Sequence, residues 1–265
     1  MHTAAAVRTG TAHRPPDKKA SMSDFLIEQA DALLRVTINH PERGNAMTDD
    51  MAVELTRIID GAAQGARVMV LRGAGDDFCV GRHRGPGGPP AMNDALDRRD
   101  VSDTIFNCYG AFRRAAIPII GVVRGRALGF GCAIAALCDI TIASERAQFQ
   151  VPEYAHNIMP TMVMSSLVDR VPRKAMAYLV YSTVAVDAQR ALAWGLASEV
   201  VPETQVDEVV EQLCRSIIKA PLPATIAVKD YLRSAPDMSV PGAVDFARNL
   251  HATINSAIDV RQKRG

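Results

Sequence analysis

Residues 119–153, IIGVVRGRALGFGCAIAALCDITIASERAQFQVPE, constrain this chain more than any other stretch. The β-branched run Ile119–Val123 reads as a buried strand and meets a turn at Arg124-Gly125-Arg126. A small-residue segment, Ala127 to Gly131, then opens a helix rich in Ala and Leu from Cys132 onward. A second strand is expected from Asp139 to Ala143, and a lone carboxylate, Glu153, follows Pro152. A strand, a glycine-rich turn and a helix N-terminus in succession present unpaired backbone N–H groups to whatever lies above them. Such donors stabilise an oxygen that gains negative charge in a transition state. A partly desolvated carboxylate beside them is a competent proton carrier.

The 265 residues suit one α/β unit with a helical appendage and can bury a full core without staples. Hydrophobic residues make up 48% and aromatics only 5%, so the core is expected to be Ala, Val, Leu and Ile. A formal charge of +1 argues against bulk attraction to nucleic acid or to an anionic membrane. Five cysteines stand at 79, 108, 132, 138 and 214, with no CxxC pair, and read as buried free thiols in a reducing compartment. No ligand cluster with metal-binding spacing is present in the sequence, and no span approaches the length of a membrane helix. Residues 1–22 lack a secretory apolar core and are expected to be a disordered extension. Their Arg- and Ala-rich, acid-poor composition leaves organellar import open beside a cytoplasmic location.

Upstream, Phe25–Glu28 and Leu33–Asn39 read as a hairpin, and His40–Asn45 as a turn. Thr48 caps a helix whose apolar positions are Met51, Leu55, Ile58 and Ile59. Arg67–Arg72 is a buried strand. Residues 73–90, dense in Gly and Pro, form a loop of active-site character, and a helix spans about Asp94 to Ala115. Beyond Glu153 helices are expected at Thr161–Arg170, Arg173–Tyr181 and after Asp187, with a short strand at Ser198–Val201. Three further helices are expected at Thr204–Lys219, Pro223–Ser234 and Val240–Gln262. Strands and helices alternate first, and helices alone close the chain.

Several landmarks occur in a telling order: Pro41-Glu42-Arg43-Gly44-Asn45-Ala46-Met47, Phe78-Cys79-Val80-Gly81, the glycine-rich turn, Cys138-Asp139, Phe149-x-x-Pro152-Glu153, and Asp187-Ala188 to Gly195-Leu196-Ala197. Together they resemble the crotonase superfamily, the enoyl-CoA hydratase/isomerase group, from about residue 24 to about residue 260. The resemblance implies an α/β fold, a crotonase-like ββα-superhelix (spiral) core over residues 23–200. It also implies a C-terminal helical subdomain over 201–265 that serves in trimerisation and covers CoA.

What the resemblance implies for the site follows residue by residue. The backbone N–H groups of Arg82 and Phe130 form an oxyanion hole, with Phe130 standing where the family usually has glycine. Glu153 takes the place of the proton-transferring glutamate. Ala133 stands where hydratases carry a second glutamate. Asn45, Ala46, Val80, Arg82, His83, Arg84 and Lys229 fall at substrate- and CoA-binding positions. His83, Tyr154 and His156 are candidates to replace the missing carboxylate. Asp139 is expected to anchor backbone or a subunit contact. Thr161-Met162-Val163-Met164 replaces a glycine-rich family segment, so an unusual acyl group is expected.

The implied activity is enolate stabilisation on an acyl-CoA thioester, as an isomerase or a hydratase/lyase acting on an unidentified acyl group. No permanently bound cofactor and no metal are expected; coenzyme A arrives as part of the substrate. A homotrimer or dimer of trimers is implied. Two other readings stay open: a catalytically degenerate acyl-CoA-binding scaffold, and a thioester hydrolase or decarboxylase.

Overall fold

The structure, a computed structural model, describes residues 23–83 and 94–262. The expected extension at residues 1–22 and the candidate Arg84 lie outside the described residues.

Strands β1 (Phe25–Ala30) and β2 (Leu33–Ile38) form the antiparallel hairpin, with Asp31 at a positive φ of 51° in its turn. Helix α1 (Asp49–Gly61) starts on Thr48, whose hydroxyl accepts from Met51 N, and Asp49 and Asp50 sit in its first turn. Strand β3 (Val68–Gly73) is followed, beyond the loop, by α2 (Ala95–Arg114), which Asp94 caps. Next come β4 (Ile119–Val123), β5 (Arg126–Leu128), α3 (Phe130–Leu137), β6 (Ile140–Ser144) and β7 (Gln148–Gln150). After Glu153 the chain forms α4 (Thr161–Leu167), α5 (Arg173–Ser182), β8 (Val186–Asp187), α6 (Ala188–Ala193) and β9 (Glu199–Val201). Helices α7 (Val206–Lys219), α8 (Leu222–Ser234), α9 (Val240–Asn255) and α10 (Ile258–Gln262) close it.

Six strands make the main sheet in the order β1-β2-β3-β4-β6-β9, parallel except for the β1–β2 pair. The side-chain period of two sorts the central strands between two cores. Leu34, Val36, Ile38, Met69, Leu71, Ile119 and Val123 join the larger one with α1, α2 and α3. Leu33, Val68, Val70, Ile120, Val122 and Ile142 face the other way and are covered by Val206, Val210 and Cys214 of α7. Each such side chain, fully buried, contributes about 1.5–3 kcal/mol before chain entropy is charged against it. Helix α3 has every residue buried, so it is a core helix and not an amphipathic one.

A second, three-stranded sheet, β5-β7-β8, differs from expectation. In the sequence Arg126 reads as the end of a turn, Ala127-Leu128 as part of the small-residue segment before a helix, and residues 148–150 carry no expected element, because three residues hold too little pattern to register as strands. They become strands through pairing alone: Arg126 opposes Gln148 and Leu128 opposes Gln150, in parallel. Cys79 bridges Ala127, which ties the residue 73–83 loop to this sheet. Helix α3 starts at Phe130, two residues before the expected Cys132. The last expected helix is two, broken at Ser256-Ala257. Among the described residues no helix is long and apolar enough to cross a membrane.

Candidate active site

The loop after β3 returns toward the start of α1. Met47 N donates to Gly81 O at 2.9 Å, and His83 N donates to Met47 O at 2.7 Å. These two bonds flank Arg82 on both sides, and its own N–H finds no acceptor among the described residues. Gly81 holds φ +115°, a conformation that L side chains rarely adopt. The Arg82 guanidinium turns to α1 and forms a bidentate pair with Asp49, at 2.6 Å and 2.5 Å.

The second donor stands at the start of α3. Gly129, at φ +51°, precedes the helix, donates its N–H to Gln150 O and accepts from Ala133 N, both at 2.9 Å. Phe130 is the first helical residue, and its N–H likewise has no acceptor among the described residues. Its ring packs on Tyr109 of α2 with centroids 5.5 Å apart.

Glu153 opens a single 3-10 turn (Glu153–His156) that ends on Asn157 in the left-handed region, with Ile158 N donating back to Glu153 O. Its Oε2 is sealed from solvent and has no hydrogen-bond partner. Burial raises the carboxyl above the usual glutamate range, against a smaller downward pull from its backbone bond and from His156. A carboxylate so placed is basic and holds a proton more readily than a surface glutamate.

A cavity of about 370 Å³ joins these parts: Arg82, Phe130 and Glu153 line it together with Val80, Gly81 and Gly129. The rest of its wall is largely apolar, with Ile105, Ile158, Met162 and Val163. The bulky Phe130 and Met162 therefore border the space without filling it.

The remaining candidates divide. His156 lines the cavity from an exposed position, whereas His83 and Tyr154 are exposed and lie outside its wall. Tyr154 packs edge-on against Tyr181. Ala133 is fully buried and does not border the cavity. Cys132, beside it, has its thiol pushed up to about 12, first by burial and then by the Glu153 charge, so it is a neutral core thiol. Asn45, fully buried, closes the turn: it donates to Ala74 O and Asp77 O and accepts from His40 N. Ala46 is buried beside it. Lys229, placed by sequence at a CoA position, is buried on α8 and paired with Asp139 at 2.5 Å, away from the cavity wall. Asp139 also accepts from Ile119 N at 2.8 Å, so this pair anchors the start of β4 to the C-terminal helices. Neither Arg82 nor Lys229 presents an unpaired cation to a phosphate.

Sequence reasoning missed Tyr109 and Ile105. The spacing Ile105, Cys108, Tyr109, Phe112 marks a buried helical face, but nothing local distinguishes a core face from a cavity wall. Among the described residues no group of three His, Cys, Asp or Glu side chains is placed to hold a metal.

Known proteins resemble this chain over most of its length. The family model described as Enoyl-CoA hydratase/isomerase matches residues 28–264. The chain is 27% identical to the 2,3-dehydroadipyl-CoA hydratase of Escherichia coli K12 over 90% of its own length and 92% of that protein's. It superposes on the enoyl-CoA hydratase of Mycobacterium smegmatis with a TM-score of 0.84 at 22% identity, covering 90% of this chain and 93% of the other. A Thermobifida fusca YX structure in complex with CoA superposes with a TM-score of 0.78 at 28% identity, over 87% and 92% of the two chains. The α/β architecture with its helical C-terminal region is thus the crotonase fold, and the chain belongs to the enoyl-CoA hydratase/isomerase family.

Proposed function

We propose that this protein is an acyl-CoA enzyme that forms a thioester enolate and moves a proton with Glu153, as an isomerase or a hydratase/lyase. The observation that carries the reading is the Glu153 carboxylate, its Oε2 sealed and unpartnered, in a largely apolar cavity that Arg82 and Phe130, with their unengaged backbone N–H groups, also border.

In the isomerase direction, Glu153 removes the proton from C2 of a 3-enoyl thioester. The C2–H electrons move into the thioester carbonyl and give a dienolate. The oxyanion accepts hydrogen bonds from Arg82 N–H and Phe130 N–H. Protonated Glu153 then returns the proton to C4 as the C2=C3 bond forms. Each donor of such a pair is worth roughly 3–4 kcal/mol to the transition state. Burial of Glu153 serves the step by raising its basicity toward that of the carbon acid.

Hydration of a 2-enoyl thioester is the second reading, favoured by His156, which lines the same cavity and can orient water. Coenzyme A enters as part of the thioester and stays attached through either reaction, and the chain's likeness to the CoA complex above supports a thioester substrate. Residues 201–265 fit a covering and assembling role. Their helices expose Val228, Leu232, Val244 and Ile258, an apolar set that suits a homotrimer or dimer of trimers. Sedimentation at micromolar concentration tests the assembly.

Turnover of 3-enoyl-CoA and 2-enoyl-CoA panels by the wild type and by Glu153→Gln tests the chemistry. Loss of at least a hundredfold in the variant supports the reading. Turnover of no thioester, or an unchanged variant, ends it.

A further inference from the structure

The peptide that joins Gly81 to Arg82 is held from one side. Its carbonyl accepts from Met47 N at 2.9 Å, so its N–H, on the opposite side of the same planar unit, points away from Met47. The following peptide is held too, with His83 N donating to Met47 O at 2.7 Å. The joint upstream is soft. Gly81 has no side chain to hinder rotation, and its φ of +115° lies where glycine turns at little cost. Packing does not stiffen it: a Cβ on Gly81 would meet nothing closer than Leu128 O at 3.4 Å.

The side chain of Arg82 adds a second restraint. Nε and Nη2 donate to Oδ1 and Oδ2 of Asp49 at 2.6 Å and 2.5 Å, a two-point fork that fixes the guanidinium plane. Asp49 stands two residues after Met47, in the first turn of α1, and Thr48 between them caps that helix. The backbone bridge from Met47 to Arg82 and the fork from Asp49 to Arg82 thus join the same two segments at two points. This closed ring fixes the direction of the Arg82 side chain from its backbone, and so limits how far the N–H can swing about the Gly81 joint. The Asp49 side chain is 46% exposed and lies outside the cavity wall, and an ion pair so placed contributes little to stability. Asp50, an acid in the same turn, forms no ion pair with Arg82.

We propose that Asp49 is a positioning residue: through its fork to the Arg82 guanidinium it aims the Arg82 N–H at the thioester oxygen. This role rests on the acyl-CoA reading above and adds to it a side chain that never touches the substrate. A loosened N–H still meets a ground-state carbonyl but loses the alignment that a developing oxyanion demands. The loss therefore falls on kcat and leaves KM nearly unchanged.

Asp49→Ala, Arg82→Ala and the double variant test this, on whichever 3-enoyl-CoA or 2-enoyl-CoA the wild type turns over best. Each single variant is expected to lower kcat about tenfold, with KM within about twofold of wild type. The double variant should lose no more than the larger single loss, because the two side chains act as one unit. Asp50→Ala removes the same charge from the same turn and should keep the wild-type kcat. All four should melt within roughly 4 °C of wild type, so a misfolded variant is recognised. Bound acetoacetyl-CoA gives a reading without turnover, since its enolate absorbs in the ultraviolet. At fixed pH the ratio of enolate to keto form should fall about tenfold in Asp49→Ala and stay unchanged in Asp50→Ala. Asp49→Asn, which keeps the shape and breaks the fork, repeats both measurements if Asp49→Ala fails to fold. A wild-type kcat and enolate ratio without the fork, losses that multiply in the double variant, or an equal loss in Asp50→Ala would overturn the proposal while the acyl-CoA reading stands. If the wild type turns over no thioester, that reading falls and this proposal with it.

Discussion

The carboxylate of Glu153 lies against Gly129: a Cβ on Gly129 would stand 2.5 Å from Glu153 Oε1. The residue that shapes the helix start is thus also the residue that leaves room for the Glu153 carboxylate. Gly129 has two reasons to be glycine, its φ of +51° and this contact. The variant Gly129→Ala is expected to lower kcat by at least tenfold with a loss of about 1–2 kcal/mol in stability. Turnover measured beside a urea melt separates the two effects. A fully active, fully stable Ala variant would refute the contact.

Glu153 has a pH signature. Its folded pKa is raised by burial above the usual glutamate value of 4.5. Between the unfolded and folded values the native state binds more protons than the unfolded state, so this group's contribution to stability falls as pH rises through that window. Full stabilisation is present below the unfolded pKa. Glu153→Gln should therefore flatten this limb of the stability–pH curve and leave the protein more stable than wild type at neutral pH. The acid limb of kcat/KM should also lie above the ordinary glutamate range, since the proposed mechanism uses this carboxylate as its base. Urea midpoints from pH 4 to pH 8, at constant ionic strength, read the first part.

Lys229 and Asp139 should behave as a structural pair. Lys229→Met removes the ammonium from a carboxylate that is itself largely buried. An uncompensated buried charge typically costs about 3–5 kcal/mol. For a chain of this size each kcal/mol lowers Tm by roughly 2–4 °C. Turnover per folded molecule should be unchanged below the new Tm. A CoA-binding role would instead show as a raised KM with little change in Tm.

Ala133→Glu is the tempting repair, and the structure argues against it. Ala133 is fully buried in a helix with every residue buried, and it does not border the cavity. A glutamate there must bury an unpaired charge or push its neighbours aside, at a cost of several kcal/mol. Poor expression or a Tm lowered by about 6 °C or more is expected. A stable variant with increased hydration of 2-enoyl-CoA would show that the cavity reaches Ala133.

The capped start of α1, the buried β4 and the helix-only C-terminus were legible from local patterns, because each follows from periodicity, capping or proline and glycine placement. Strands β5 and β7 were not, since three-residue strands exist only as partners of each other and of the Cys79 loop. The pairing of Lys229 with Asp139 was illegible for the same reason: 90 residues separate the two, and only the tertiary fold brings α8 to the residue before β6, at 2.5 Å. Tyr109 was legible as a buried residue but not as a cavity wall.

By itself the sequence determined the family, the order of elements, and the glycine-rich turn that ends in a helix N-terminus near a lone carboxylate. Those are local or ordered features, set by backbone sterics and hydrophobic period. Tertiary structure alone decided that Arg82 N–H and Phe130 N–H stay unengaged beside one cavity, and that Oε2 of Glu153 is sealed without a partner. It also decided that Tyr109 shares that cavity while Ala133 and Lys229 do not. Those properties depend on which surfaces exclude water together, and exclusion of water is a property of the packed chain.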